Sequence, residues 1–151
     1  MKKVFVGTLL VALVFITSCS KNSNSSSSNS WSFKGNSYNT VTSAVLVGVF
    51  EAVSTNSTLS LVFYNNAPTT TTTYTVASGG SPGSNSEIGV TLSVGTNNPI
   101  YYSSTASSGT QQITVNVGSN GKLSASASGV VLSNNTNFSD TAAVNFNISQ
   151  Q

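Results

Sequence analysis

The sequence predicts an all-β fold, an antiparallel β-sandwich of about eight to nine strands, with a closed up-and-down β-barrel as the alternative way to bury the same faces. Three observations predict it. Apolar and polar residues alternate with period two along the body, turn chemistry recurs about every ten residues, and helical periodicity is missing. The polar faces are built from hydroxyls and amides: 30 Ser, 19 Thr and 18 Asn stand among 151 residues, of which 5% are charged.

Taken in order, an aromatic stretch Trp31–Phe33 opens the body, and Tyr38 follows across the turn "KGN" at 34–36. Leu59, Leu61 and Phe63 alternate with Ser60, Val62 and Tyr64. Ile88, Val90, Leu92 and Val94 alternate with Gly89, Thr91 and Ser93. Ile113, Val115 and Val117 alternate with Thr114 and Asn116, and Ala142, Val144, Phe146 and Ile148 with Ala143, Asn145 and Asn147. Each run reads as a strand with one dry and one wet face. The threonine run 69–73 leads into Tyr74 and Val76 and reads as an edge strand with a threonine-lined face. Between these runs lie "STN" at 54–56, "YNNAP" at 64–68, "SGGSPGSNS" at 78–86, "TNNP" at 96–99, "GSNGK" at 118–122 and "SNNTN" at 133–137. Gly and Asn tolerate positive φ and Pro fixes turn entry, so each is a break with a mechanism.

One run departs from the alternation. "AVLVGVFEAV" at 44–53 is apolar on both faces, as expected of a strand covered on both sides or lying along a contact with something else. Its Glu51 is expected either to emerge at a strand end near the turn, or to sit as a carboxylate in an apolar pocket.

The amino terminus has its own logic. Met1-Lys2-Lys3 is a basic start, Val4 to Ile16 is apolar, and Thr17-Ser18-Cys19 closes with small residues, the layout of a secretory signal over residues 1–18. The apolar run falls short of the roughly 20 residues that a spanning helix needs. "ITSC" resembles the lipobox of bacterial lipoproteins, which implies cleavage before Cys19 and acylation of its thiol and amine. Cys19 is the single cysteine, so it has no intramolecular partner. A single acyl chain anchors only marginally, whereas several hold a protein stably on a membrane. With Cys19, residues 20–30, "SKNSNSSSSNS", contain no apolar side chain and read as a flexible tether. Residues 31–151 are then one domain by size.

After cleavage the chain keeps Lys21, Lys34 and Lys122 against Glu51, Glu87 and Asp140, with no arginine, so its side-chain charge is zero. Such a surface cannot hold a phosphate backbone by counterion release, and no nucleic-acid partner is expected. Histidine is absent, removing the commonest general base and metal ligand. The three acidic residues are scattered, the cysteine is committed to the anchor, and the lysines fall in turns. No catalytic residues, metal or cofactor are therefore expected, and the chain does not read as an enzyme. "SGGSPGS" lacks the Lys-Ser/Thr and following helix of a phosphate loop and reads as a surface loop. Aromatics remain as recognition tools. Trp31, Phe33 and Tyr38 are expected in the core; Tyr64, Tyr101 and Tyr102 are the candidate ligand-contact rings, with one of the last two pointing outward.

With lipobox, tether and "WSFKGNSY" in view, the chain resembles small secreted lipoproteins of Bacteroidota that carry one β domain of uncharacterised function. The residues that carry the resemblance are Trp31, Phe33, Gly35 and Tyr38, then Gly121-Lys122-Leu123-Ser124 and Gly129. The same resemblance marks "SDTA" at 139–142 as an O-glycosylation acceptor, with the glycan on Thr141. No activity transfers with the resemblance; the residues themselves read as a non-enzymatic binding or accessory module attached to the membrane through Cys19, at the outer membrane because Ser20 gives no acidic inner-membrane retention signal, on its periplasmic side or on the cell surface. A glycan or an envelope protein would be its partner. Two alternatives stand beside it: a structural or adhesive envelope component that self-associates, and, for a barrel with an apolar cavity, a carrier of a small hydrophobic ligand.

Overall fold

The computed structural model describes residues 29–151, so Cys19, the leader and the tether up to residue 28 lie outside the described residues. Asn29 and Ser30, expected in the tether, belong to the domain. Strand β1 (Ser30–Phe33) begins there, and Asn29 donates through Nδ2 to the carbonyl of Ser149 at 2.7 Å.

Among the described residues eleven strands form, more than the eight to nine expected. After β1 come β2 (Asn36–Asn39), β3 (Thr42–Leu46), β4 (Val49–Val53), β5 (Ser57–Phe63) and β6 (Thr72–Val76). They are followed by β7 (Glu87–Val94), β8 (Ile100–Ser104), β9 (Gln112–Val117), β10 (Leu123–Asn134) and β11 (Thr141–Ser149). Part of the excess comes from 44–53, which is a hairpin and not one strand. Gly48 turns the chain at φ 70°, and β3 pairs back on β4 from Thr42↔Val53 to Leu46↔Val49. Apolar residues on both faces of the run thus become two strands that each have an inner face, with Val45, Phe50 and Ala52 directed to the core. Glu51 lies mid-strand, half-buried on the outer face between Ala44 and Ser60, neither at a strand end nor in an apolar pocket.

The strands make one continuous sheet, in the order β2-β1-β11-β10-β9-β6-β7-β5-β4-β3, with β8 joining β7 to β10. The sheet therefore closes on itself: β10, β9, β6, β7 and β8 form a five-stranded ring, the closed alternative, though not in up-and-down order. From it extend two three-stranded wings, β11-β1-β2 and β5-β4-β3. One pair departs from the antiparallel expectation. β6 and β7 run parallel at Thr75↔Glu87 and Val76↔Ile88, because the 77–86 connection crosses over instead of turning back. The threonine strand β6 lies between β9 and β7 and so is not an edge. Its threonine face is real, with Thr73 and Thr114 hydroxyls 2.8 Å apart across the strands.

On both β7 and β10, one edge serves two partners. β5 runs along the whole of one side of β7, so the other side takes β6 at Glu87–Ile88 and β8 only from Thr91. Likewise β11 occupies one side of β10, leaving the other to β9 at Leu123–Ala125 and to β8 at Leu132–Asn134. The gaps are filled by two 3-10 turns, Ser78–Gly80 and Ala106–Ser108, and by two buried serines. Ser104, 1% exposed, donates to the carbonyl of Ala77 at 2.5 Å and accepts from the Val90 amide at 3.4 Å. Ser108, 2% exposed, accepts from the Val131 amide at 2.9 Å and donates to the Val131 carbonyl at 3.0 Å. The Val90 and Val131 amides and the Ala77 carbonyl are thereby bonded, while the Val131 carbonyl also accepts from the Thr105 amide at 3.0 Å.

The core is continuous. Val76, Ile88, Val90, Leu92, Ile113, Val115, Leu123, Val130 and Leu132 fill the ring. Trp31, Phe33 and Tyr38 of one wing and Phe50, Leu59 and Leu61 of the other belong to the same core, and the Trp31 indole donates across to Ser57 Oγ at 3.4 Å. The expected alternations hold on β5, β9 and β11. On β7, Gly89 is buried although the pattern places it on a wet face, because the start of the 78–86 loop lies on top of it. A Cβ at Gly89 would come 1.9 Å from the Gly80 carbonyl oxygen. The loop is thus partly interior, and not the pure surface loop expected.

Gly89→Ala should therefore lower stability by about 1–3 kcal/mol through overpacking against backbone, read as a fall in urea midpoint at unchanged slope. A midpoint equal to wild type would contradict this packing.

Candidate functional site

Strand β8 is short, and its alternation sorts the site. Tyr102 and Ser104 point inward, while Tyr101 and Ser103 lie on the outer face, where Ser103 is level with Thr91 of β7 and Ser133 of β10. Of the candidate rings, Tyr101 and Tyr64 are exposed, but Tyr102 is 4% exposed and is no contact surface. Its burial follows from its inward-facing position on β8, opposite Leu92 of β7 and Asn134 at the end of β10, and from edge-on packing against Phe33, with ring centroids 4.8 Å apart. Nor do the two exposed rings converge. Tyr101 is level with Ser93 and Thr58, whereas Tyr64 lies just past the end of β5, six residues beyond Thr58 and about 20 Å along the strand direction at roughly 3.3 Å per residue. Glu51 and Glu87 are likewise kept apart by β5, which separates β4 from β7; the Glu87 carboxylate instead accepts from the Gly83 amide at 2.7 Å.

Lys34, expected to be solvated in its turn, is part of a clamp. Its ammonium donates to Asp140 Oδ1 and, at 3.0 Å, to the Tyr102 hydroxyl, which itself donates to Asp140 Oδ2 at 3.2 Å. The same ammonium stands 4.7 Å from the centroid of the Tyr102 ring. The hydrogen bond to Asp140, then that to Tyr102, pushes the Lys34 pKa up. Hydrogen bonding from Lys34 is the main cause that holds the Asp140 carboxyl below its ordinary range. About a third of each side chain remains exposed (35% and 32%), so solvent screens the pair and its role is positional more than energetic.

The clamp fixes the base of the β10–β11 connection. Asn134 accepts at Oδ1 from the amides of Thr136 at 2.9 Å and Asn137 at 3.3 Å, and its own amide bonds the Asp140 carbonyl. At the tip of this braced loop Phe138 stands 75% exposed. Beside it opens a cleft of about 410 Å³, lined by Ser78, Gly79, Ser103, Ser104, Thr105, Ala106, Ser133, Asn135 and Phe138. No ionisable group among the described residues lines it. Thr141, on the outer face of β11, is exposed and directly opposite Ser133.

No protein family, curated protein or solved structure matches the chain. The site therefore rests on its own geometry.

Sequence reasoning missed both the clamp and Phe138. The clamp joins residues 106 positions apart, which no local pattern encodes. Phe138 did leave a signal, an isolated large apolar residue inside "SNNTNFSD", where turn chemistry asks for none.

The clamp has a pH signature. A depressed carboxyl adds stability above the ordinary carboxylate range that is lost as pH falls through the lowered value. A raised lysine adds stability that is lost only as pH rises through its elevated value. Asp140→Asn should then show a deficit against wild type that is level across neutral pH and shrinks below about pH 4, measured by urea unfolding. A deficit of the same size at pH 7 and in strong acid would contradict the ionic clamp.

Proposed function

We propose that this chain is a non-enzymatic, lipid-anchored recognition module of the bacterial cell envelope, held at the outer membrane through Cys19, with the Phe138 cleft as its working face. The observation that carries the reading is the cleft itself: an exposed ring on a braced loop beside polar side chains, on a rigid closed sheet. Sites of this kind use a scaffold to position loop residues. The "ITSC" motif supports the anchor, and acylation at Cys19 would hold the domain near the membrane without a spanning helix. Thr141 is proposed as an O-glycosylation acceptor on the strength of "SDTA" and its exposure.

A second reading, a self-associating envelope component, is favoured by one feature. Strand β3 ends the sheet as an open edge, flanked by exposed Val41 and Leu46 and by Val47 at the hairpin tip, 92% exposed, with no charge on the strand to block pairing. The carrier reading loses ground. The ring is closed, but its interior is occupied by its own side chains, as expected for a ring smaller than the roughly eight strands at which interiors begin to hold a ligand.

The native protein should have an intact mass that starts at Cys19 and carries acyl groups, and Cys19→Ala should leave the membrane fraction. The released domain should remain monomeric by light scattering over about a hundredfold concentration range. Oligomers that grow with concentration and vanish in Val47→Lys would favour the self-associating component. An unacylated protein in the soluble fraction would overturn the anchor.

A further inference from the structure

The serines around β8 divide into two populations. Ser104 and Ser108 spend their hydroxyls on backbone, as described above. Ser78, Ser103, Ser133 and the Asn135 amide form no side-chain hydrogen bond with the described residues, and all four line the cleft. Ser103 is 8% exposed, yet its hydroxyl is not a buried unsatisfied atom, so it is open to the cleft. Four donor–acceptor groups that the fold does not use therefore converge beside a phenyl ring that the fold does not bury.

A second exposed ring, Tyr101, lies next to the lining residue Asn135 without itself lining the cleft. Tyr101 precedes Ser103 by two residues on the same strand face, and its carbonyl accepts from the backbone N–H of Asn135 at 2.9 Å, which sets Asn135 beside Tyr101 on the loop that carries Phe138 and leaves the Asn135 side chain uncommitted. The cleft volume, about 410 Å³, falls in the roughly 300–1,000 Å³ range of small-ligand sites.

A ligand that fits must present an apolar face to a ring and several hydroxyls to neutral donors and acceptors. It must also need no counter-charge, since no ionisable side chain among the described residues lines the cleft. We propose that this cleft binds neutral carbohydrate, with the sugar's C–H face stacked on Phe138, its hydroxyls bonded by Ser103, Ser133 and Asn135, and a neighbouring sugar reaching toward Tyr101. The inference rests on the recognition-module reading and names its ligand class. Neutrality of the lining is what separates neutral from acidic sugars, because an anionic ligand would give up hydration without gaining an ion pair.

The test uses the detergent-solubilised full chain on an array of neutral oligosaccharides (glucans, mannans, galactans and N-acetylglucosamine oligomers) beside sialylated and sulfated ones, with hits titrated by calorimetry. Neutral glycans should bind, and Phe138→Ala, a surface change that leaves the core intact, should weaken them at least about tenfold. Phe138→Trp should retain binding, Asn135→Ala should weaken it severalfold, and affinity should be unchanged between about 50 and 500 mM salt. A neutral glycan whose affinity is untouched by Phe138→Ala would overturn this cleft as the working face, while the anchored recognition module itself would stand with its site elsewhere. Preference for acidic glycans, or a silent array, would overturn the carbohydrate assignment. The anchoring and monomer measurements judge the recognition reading separately.

Discussion

The structure depends on solving one problem of hydrogen bonding: how a sheet can fork twice without stranding backbone. β7 and β10 each give a single edge to two different partners, which closes the ring but leaves a gap between those partners on both strands. A buried amide or carbonyl without a partner costs about 1–3 kcal/mol, so the gaps need donors and acceptors from elsewhere. A serine hydroxyl can donate and accept at once, and Ser104 and Ser108 each do both. The 3-10 turn at Ser78–Gly80 completes the filling, and its close approach explains why β7 carries glycine at 89.

From that closure the rest follows. β8 is the strand that joins β7 to β10, and its five residues serve different ends by simple alternation. Ser104 satisfies the fork, Tyr102 turns inward to meet Lys34 and Asp140, Ser103 faces the cleft, and Tyr101 is exposed beside Asn135. Because Asp140 closes the β10–β11 connection, the same clamp that ties Tyr102 to the first hairpin also steadies the loop that presents Phe138. Ring, clamp and cleft are consecutive consequences of one strand's placement.

The strands whose two faces differ in polarity were legible from sequence, and β5, β9 and β11 lie as their alternation requires. Where the pattern was ambiguous, tertiary context decided. "AVLVGVFEAV" carries no polar turn residue beyond Gly48, so a hairpin looked like one strand; Gly89 looked wet because nothing local announces the loop above it. Adjacent Tyr101 and Tyr102 could be assigned to opposite faces but not to particular ones, since register is set by β7 and β10 far away in sequence. The cleft was hidden for the same reason: its lining comes from the 78–79, 103–106 and 133–138 segments, which only the closed ring brings together.

The measurement that tests this account most directly is native-state amide hydrogen exchange at Val90 and Val131, in wild type and in Ser104→Ala and Ser108→Ala. Both amides should be protected in wild type; Ser104→Ala should strip protection from Val90 and Ser108→Ala from Val131, while Leu59 and Leu61 on β5 remain slow. Protection at Val90 and Val131 that survives both substitutions would mean that the forks are closed by something other than these two hydroxyls.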